Sequence, residues 1–305
     1  MAVSRSTRST ARLGLLLTIL AGTLVVSAAP AAAAPLSGPV VPTAVPAGST
    51  IEPPLDCRPT KSHPDPVVVL PGADGTTGQT SAQWRVVTSA LRRSGACAFV
   101  FQGGIIDEKR WAGDIPGEAV QVERFVRKVR GSTGATKVDI VAHSAGSVVA
   151  NYYLKVRHGA PNVGAAVLLA PEGGGCDGVG SLAQYGITHP PITPVQVLQA
   201  LPLMSPILAR ILPSMAVALQ LAPGSDVYRK LFIDGPVTQK GVHYAIMATK
   251  NDKLATPAGT CSFIREPGVT NVFYEDVFPG RPVVDHSSLR SSPYTAKWVV
   301  KQLYS

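Results

Sequence analysis

Lys137-Val138-Asp139-Ile140-Val141-Ala142-His143-Ser144-Ala145-Gly146-Ser147-Val148-Val149-Ala150-Asn151-Tyr152 changes its period in the middle. Val138 to Ala142 is a short apolar run of strand type, whereas Val148, Val149, Tyr152 and Val156 recur at helical spacing. At the junction stands Ala142-His143-Ser144-Ala145-Gly146, a serine among small residues. This is the pattern of a nucleophile elbow, a turn sharp enough to leave the serine Oγ exposed above a helix N-terminus. Small neighbours are required, because a larger side chain at Ala142 or Gly146 would collide across the turn. Such a pentapeptide arises easily in a chain with 29 glycines, so the surrounding sequence must decide whether the serine is catalytic.

Upstream, Val67-Val68-Val69-Leu70 is an apolar run of the kind buried on both faces of a parallel sheet. It stops at Pro71-Gly72-Ala73-Asp74-Gly75-Thr76-Thr77-Gly78, whose glycines leave backbone N–H groups uncovered, as an anion-stabilising loop requires. A plain connection between strand and helix is the other reading. Trp84 to Arg93 is expected as a helix, Ala96 to Phe101 as the next strand and Gly103 to Gly113 as a loop. Asp114 and Pro116 mark a helix start, after which Val122, Phe125, Val126 and Val129 keep helical spacing with Arg124, Arg127 and Lys128 turned outward. Val163 to Leu169 is a further strand, ending at Ala170-Pro171-Glu172. Alternating strands and helices imply an α/β fold with a largely parallel, doubly covered sheet. The length suits one large domain, and no internal repeat is visible.

The rhythm then breaks. From Gly178 to Ser225 the only charged residue is Arg210, and Pro202, Pro206 and Pro213 cut the segment into short helices. Either this region, 178–235, packs as a small helical core or it caps an acyl pocket, with Leu203, Met204, Ile207 and Met215 suited to adaptable apolar packing. Regular structure resumes with strands at Tyr244 to Thr249 and Val269 to Tyr274 and a final helix from Pro293 to Tyr304. A serine hydroxyl needs an imidazole within reach, itself oriented by a carboxylate. Asp252 stands three residues beyond one of these strands, and His286 lies between the last strand and the last helix. Of the six histidines, His63, His143, His158, His189 and His243 are worse placed. Asp276 is the chief competitor for the acid, while Asp285 is too close to His286 in sequence to bond its ring. The oxyanion donors would be the N–H of Ala145 and one from Ala73, with Asp74 as the alternative.

At the N-terminus, Arg5, Arg8 and Arg12 precede the apolar run Leu13 to Val26 and the small-residue zone Ala28 to Ala34, as in a secretory signal cleaved near Ala32-Ala34. Residues 35–56 follow as a Pro/Ala-rich arm, and 57–305 as the catalytic domain. Without the signal the chain carries 25 basic and 19 acidic residues, scattered rather than interleaved with aromatics, so no nucleic-acid surface is expected. No stable protein partner is evident. The four cysteines fit two disulfides in an oxidising compartment. Of the three possible pairings, Cys57 with Cys97 and Cys176 with Cys261 suits the strand order best. No metal-ligand spacing is present.

These ordered motifs resemble the secreted bacterial lipases of the α/β-hydrolase class, the class 2 group. The resemblance runs from Cys57 to the C-terminus and rests on Val69-Leu70-Pro71-Gly72, Gly75-Thr76-Thr77-Gly78, Ala142 to Gly146, Ala170-Pro171-Glu172, Asn251-Asp252 and Asp285-His286. It implies an α/β-hydrolase fold with the triad Ser144, Asp252 and His286, and Glu172 as a carboxylate near the substrate pocket. Two features depart from the pattern: the elbow begins with Ala rather than Gly, and Ala73-Asp74 replaces the single threonine of a fungal lipase. The implied activity is hydrolysis of apolar acyl esters, first a triacylglycerol lipase meeting its substrate at an oil–water interface, without metal or organic cofactor. A short-chain carboxylesterase or acyltransferase is the alternative, and a noncatalytic cell-envelope binding protein the remote one.

Overall fold

The computed structural model describes residues 48–201, 204, 207 and 219–304. The signal sequence and its cleavage zone, residues 35–47 of the arm, Leu203, Arg210 and Met215 lie outside them. The strands are β1 (Ser49–Glu52), β2 (Val67–Leu70), β3 (Ala98–Gln102), β4 (Val138–His143), β5 (Val163–Leu169), β6 (His243–Ala248) and β7 (Thr270–Phe273). Among the described residues they form one seven-stranded sheet in the order β1-β3-β2-β4-β5-β6-β7. Every pairing is parallel except that of β1 with β3.

The all-apolar strands follow from burial on both faces. Val68, Leu70, Phe99, Phe101, Ile140, Ala142 and Leu168 point to one side and pack under helices α2 (Ile115–Thr133) and α3 (Ala145–Lys155). Val67, Val69, Val100, Val141, Val167 and Met247 point to the other, under α1 (Thr80–Arg93) and the C-terminal helix Pro293–Tyr304. Burying each such side chain contributes about 1.5–3 kcal/mol. The order also positions the site: from β2 the chain crosses to β3 on one side and then to β4 on the other. The loops after β2 and β4 therefore leave adjacent strands toward opposite faces, opening a crevice at their carboxyl ends.

Three local expectations need correction. Ser49–Glu52, within the segment read as an arm, is an edge strand on β3, an addition that four residues without apolar alternation do not announce. Helix α1 begins at Thr80 rather than Trp84, since its first turn is polar yet tied inward: Thr80 is buried and its hydroxyl donates to Gln102 Oε1 at 2.8 Å. The last strand ends at Phe273, where Tyr274–Val277 already forms a helical turn. Both disulfides, Cys57–Cys97 and Cys176–Cys261, are present. No helix of the described residues is long and apolar enough to cross a membrane.

In the 178–235 region the described pieces are short: a 3₁₀ segment Val179–Tyr185, α4 (Pro194–Ala200) and Asp226–Ile233. Helix α4 buries none of its residues, and Tyr185, Ile192, Leu201, Met204 and Ile207 are exposed. Elsewhere in the region Val179, Leu219, Ala222, Val227 and Leu231 are buried.

At the opposite end of the sheet, Asp139 is buried at the start of β4, and its pKa is pushed up to about 7 by burial and then by Asp65, although Oδ1 accepts the N–H of Ala165 at 2.8 Å. A carboxyl whose folded pKa is raised favours the native state when protonated, so its contribution is full below the ordinary carboxylate range and lost as pH rises toward 7. Asp139→Asn keeps the acceptor and removes the titration. Thermal unfolding should show wild-type stability declining between pH 4 and 8 relative to the variant, by up to about 4 kcal/mol. Identical pH profiles would contradict this.

Candidate active site

The junction between β4 and α3 places Ser144 at φ 51°, ψ −130°, a conformation that costs a residue with a side chain roughly 1–3 kcal/mol. Small neighbours make the turn possible. A Cβ at Gly146 would lie 2.3 Å from the carbonyl oxygen of Pro71, and one at Gly72 would lie 2.5 Å from His143 Nδ1. The requirement for glycine thus comes from the loop after β2 pressing against the elbow.

Ser144 Oγ stands 2.9 Å from His286 Nε2, and His286 Nδ1 stands 2.8 Å from Asp252 Oδ2. All three side chains are buried. They come from the carboxyl ends of three strands: Ser144 directly after β4, Asp252 after β6 and His286 in the loop after β7. Asp252 Oδ1 accepts the N–H groups of Leu254 and Ala255 at 2.9 and 2.8 Å, which leaves Oδ2 for the imidazole. The disulfide Cys176–Cys261 and the hydrogen bond from Thr256 Oγ1 to Asp177 Oδ1, 2.6 Å, tie the loop following Asp252 to the segment after β5. Asp276 is elsewhere, on the surface beside Lys250. Burial alone would lower the pKa of His286, but the hydrogen bond and charge of Asp252, with Glu172 and Asp74, outweigh it and raise the pKa. An imidazole so held can accept a hydroxyl proton and be stabilised as imidazolium.

Ala145 is the first residue of α3, so its N–H is among those a helix leaves without an internal acceptor. Ala73 is exposed on the loop after β2, whereas the Asp74 carboxylate is turned inward. That loop rests on a cation absent from the sequence reading. Arg110, fully buried, donates from Nε to the carbonyl of Gly72 at 2.9 Å, and from Nη1 to the carbonyl of Thr76 at 3.2 Å and to Thr80 Oγ1. Trp111 Nε1 donates to the carbonyl of Pro71. The Gly103–Gly113 loop, a plain connection by its sequence, is the floor of the candidate oxyanion loop; no periodicity or motif marks Arg110.

Of the pocket candidates, Glu172 is the one brought to the serine among the described residues: its Oε1 lies 3.5 Å from Ser144 Oγ, and burial raises its pKa. Met204 and Ile207 are exposed, and Leu203 lies outside the described residues. His143 is no competitor for the base. It is buried with its pKa lowered to about 3 by burial, and its Nε2 lies 2.8 Å from the carbonyl oxygen of His286, to which the neutral ring donates. Among the described residues no three His, Cys, Asp or Glu side chains form a group that could hold a metal ion.

Residues 64–167 match the model of the lipase (class 2) family. The match includes the loop after β2 and Ser144 but ends before Asp252 and His286. Lipase B of Aspergillus fumigatus superposes with a TM-score of 0.56 at 15% identity, over 79% of this chain and 52% of that one. The present chain thus spans about half the length of that enzyme. Lipase BlEst2 of Bacillus licheniformis in its mature form gives a TM-score of 0.55 at 15% identity, over 88% of this chain and 100% of that one. No curated protein matches the sequence. At such identities the likeness is one of fold. The chain has an α/β-hydrolase fold, and its residues 64–167 match the model of the class 2 lipase family.

Proposed function

We propose that the protein is a secreted serine carboxylester hydrolase of apolar acyl esters, a triacylglycerol lipase, with Ser144 as nucleophile, His286 as general base and acid, and Asp252 as the acid that orients it. The observation that carries this reading is the line Asp252 Oδ2, His286, Ser144 Oγ, with steps of 2.8 and 2.9 Å, at the crevice of an α/β-hydrolase fold. Ser144 Oγ attacks the ester carbonyl as His286 Nε2 takes its proton. The oxyanion lies against the N–H groups of Ala145 and Ala73; each such donor contributes about 2.7–4 kcal/mol. His286 protonates the leaving alcohol, and water, deprotonated by the same imidazole, releases the fatty acid from the acyl-enzyme. The exposed apolar residues of the 178–235 region support an apolar substrate met at an oil–water interface. Two disulfides support export to an oxidising compartment.

The test is a series of triacylglycerols and p-nitrophenyl esters of increasing chain length, assayed below and above their solubility limits. A lipase shows rates that rise on passing the limit for long chains. Activity confined to dissolved short esters would make it an esterase, and faster transfer to an added alcohol than to water would make it an acyltransferase.

A further inference from the structure

Asp74 is held by more than its own loop requires. Its Oδ2 accepts Ser287 Oγ at 2.5 Å and Arg290 Nη1, while Arg290 Nη1 also donates to the carbonyl of Ser287. Ser287 and Arg290 follow His286, at the end of the loop after β7 and in the 3₁₀ turn Ser288–Ser291 that succeeds it. Asp74 lies in the loop after β2, more than two hundred positions away, beside the candidate oxyanion donor Ala73. One carboxylate therefore joins the loop that carries the imidazole to the loop expected to bind the oxyanion. His143 adds a third member: from the elbow, its Nε2–H holds the carbonyl of His286, and its ring lies 4.8 Å from that of His286. The Arg110 guanidinium, 3.9 Å from Asp74 Oδ1, braces the loop from below.

We propose that Asp74 is a positioning residue that, with Arg290 and Ser287, latches the His286 loop to the oxyanion loop, so that base and oxyanion donors keep one mutual geometry through acyl transfer. The proposal rests on the Ser144 mechanism above. Burial opposes the ionisation of Asp74, but the Arg290 charge and the Ser287 hydroxyl bond outweigh it and hold its pKa below the ordinary carboxylate value. Chemical steps that need two loops in register lose about 100-fold for a displacement near 1 Å, whereas initial binding of an apolar ester does not depend on the latch.

The side chain also indicates a clean probe. Asp74 Oδ1 and His143 Nδ1 face each other at 3.6 Å, and neither finds a hydrogen-bond partner among the described residues. Because the neutral His143 ring uses Nε2–H on the carbonyl of His286, both facing atoms are acceptors. Asp74→Asn keeps one oxygen for Ser287 and Arg290 and turns an NH₂ toward His143 Nδ1, removing only the charge. Asp74→Ala removes the latch.

The experiment measures kcat, KM, pH profile and Tm on a soluble ester for the wild type, Asp74→Asn, Asp74→Ala and Asp74→Ala/Arg290→Gln. Asp74→Ala is expected to lower kcat about 10- to 100-fold with KM changed less than threefold, and Asp74→Asn to recover most of that loss. The groups facing His286 are Asp252, Glu172, Asp74 and His143, with Arg290 on its own loop. Asp74 raises the His286 pKa, so the acid limb of kcat/KM should move to lower pH in Asp74→Asn. In the double variant, without a stranded buried guanidinium, Tm should recover while kcat stays low. Recovery of kcat together with Tm means the residue is only structural and overturns the proposal, as does Asp74→Ala with kcat within twofold of wild type. Ser144→Ala, run alongside, separates the two failures. If it is as active as wild type, the nucleophile reading falls; if activity depends on Ser144 but not on Asp74, the latch alone falls.

Discussion

Ser144→Ala is expected to lower kcat about 10⁴- to 10⁶-fold while leaving the fold intact, because the members of a serine triad act as a unit. The backbone at this position already has φ 51°, and alanine meets the same restriction as serine there, so no new strain is introduced. What is lost is the hydroxyl 2.9 Å from His286 Nε2 and, with it, the acyl-enzyme of the proposed mechanism. Residual turnover would come from the oxyanion loop and substrate binding acting on water directly. Steady-state kinetics at saturating ester, paired with labelling by a serine-directed phosphonate and peptide mapping, checks this. Wild type should carry the label on the peptide containing Ser144, and the variant should carry none. Hydrolysis by wild type that persists with Ser144 unmodified would end the assignment.

Asp252→Asn should cost about 10⁴ in kcat although it changes only one atom. The reason lies in the backbone. Oδ1 accepts two N–H groups, from Leu254 and Ala255, so the asparagine oxygen is retained on that side. Its NH₂ then faces His286 Nδ1, which must become the unprotonated nitrogen. The ring proton moves to Nε2, and the imidazole can no longer accept the proton of Ser144. Loss of the carboxylate also withdraws the interaction that raises the His286 pKa most, so the acid limb of kcat/KM should shift to lower pH. Asp276→Asn serves as control: that carboxylate pairs with Lys250 on the surface, and its variant should keep activity within about twofold, as surface pairs contribute little. Asp252→Asn retaining a tenth of wild-type activity, or Asp276→Asn proving the damaging change, would refute the choice of acid.

Legibility varied with the kind of signal. Val67 to Leu70 could be recognised as a doubly buried strand because four apolar residues in succession fit few other places, and both core layers use that strand. Ser49–Glu52 could not, since an edge strand needs no apolar face. The polar first turn of α1 hid its start for a similar reason: Thr80 is buried by hydrogen bonds rather than by apolar packing. Arg110 lies in a stretch without periodicity, yet it is fully buried against carbonyls 34 and 38 positions upstream.

The local order of the chain alone determined the class of fold, the turn that carries Ser144, and Asp252 and His286 as candidates, because these depend on residue types next to strand ends. Only the tertiary structure decided what stands within hydrogen-bond reach: the choice of Asp252 over Asp276 as the partner of His286, the place of Glu172 beside the serine, and the inward turn of Asp74 to Arg290 and Ser287. Such contacts join residues far apart in the chain, and their formation depends on strand order and on a few close approaches such as Gly146 under Pro71, which no local pattern of residues encodes.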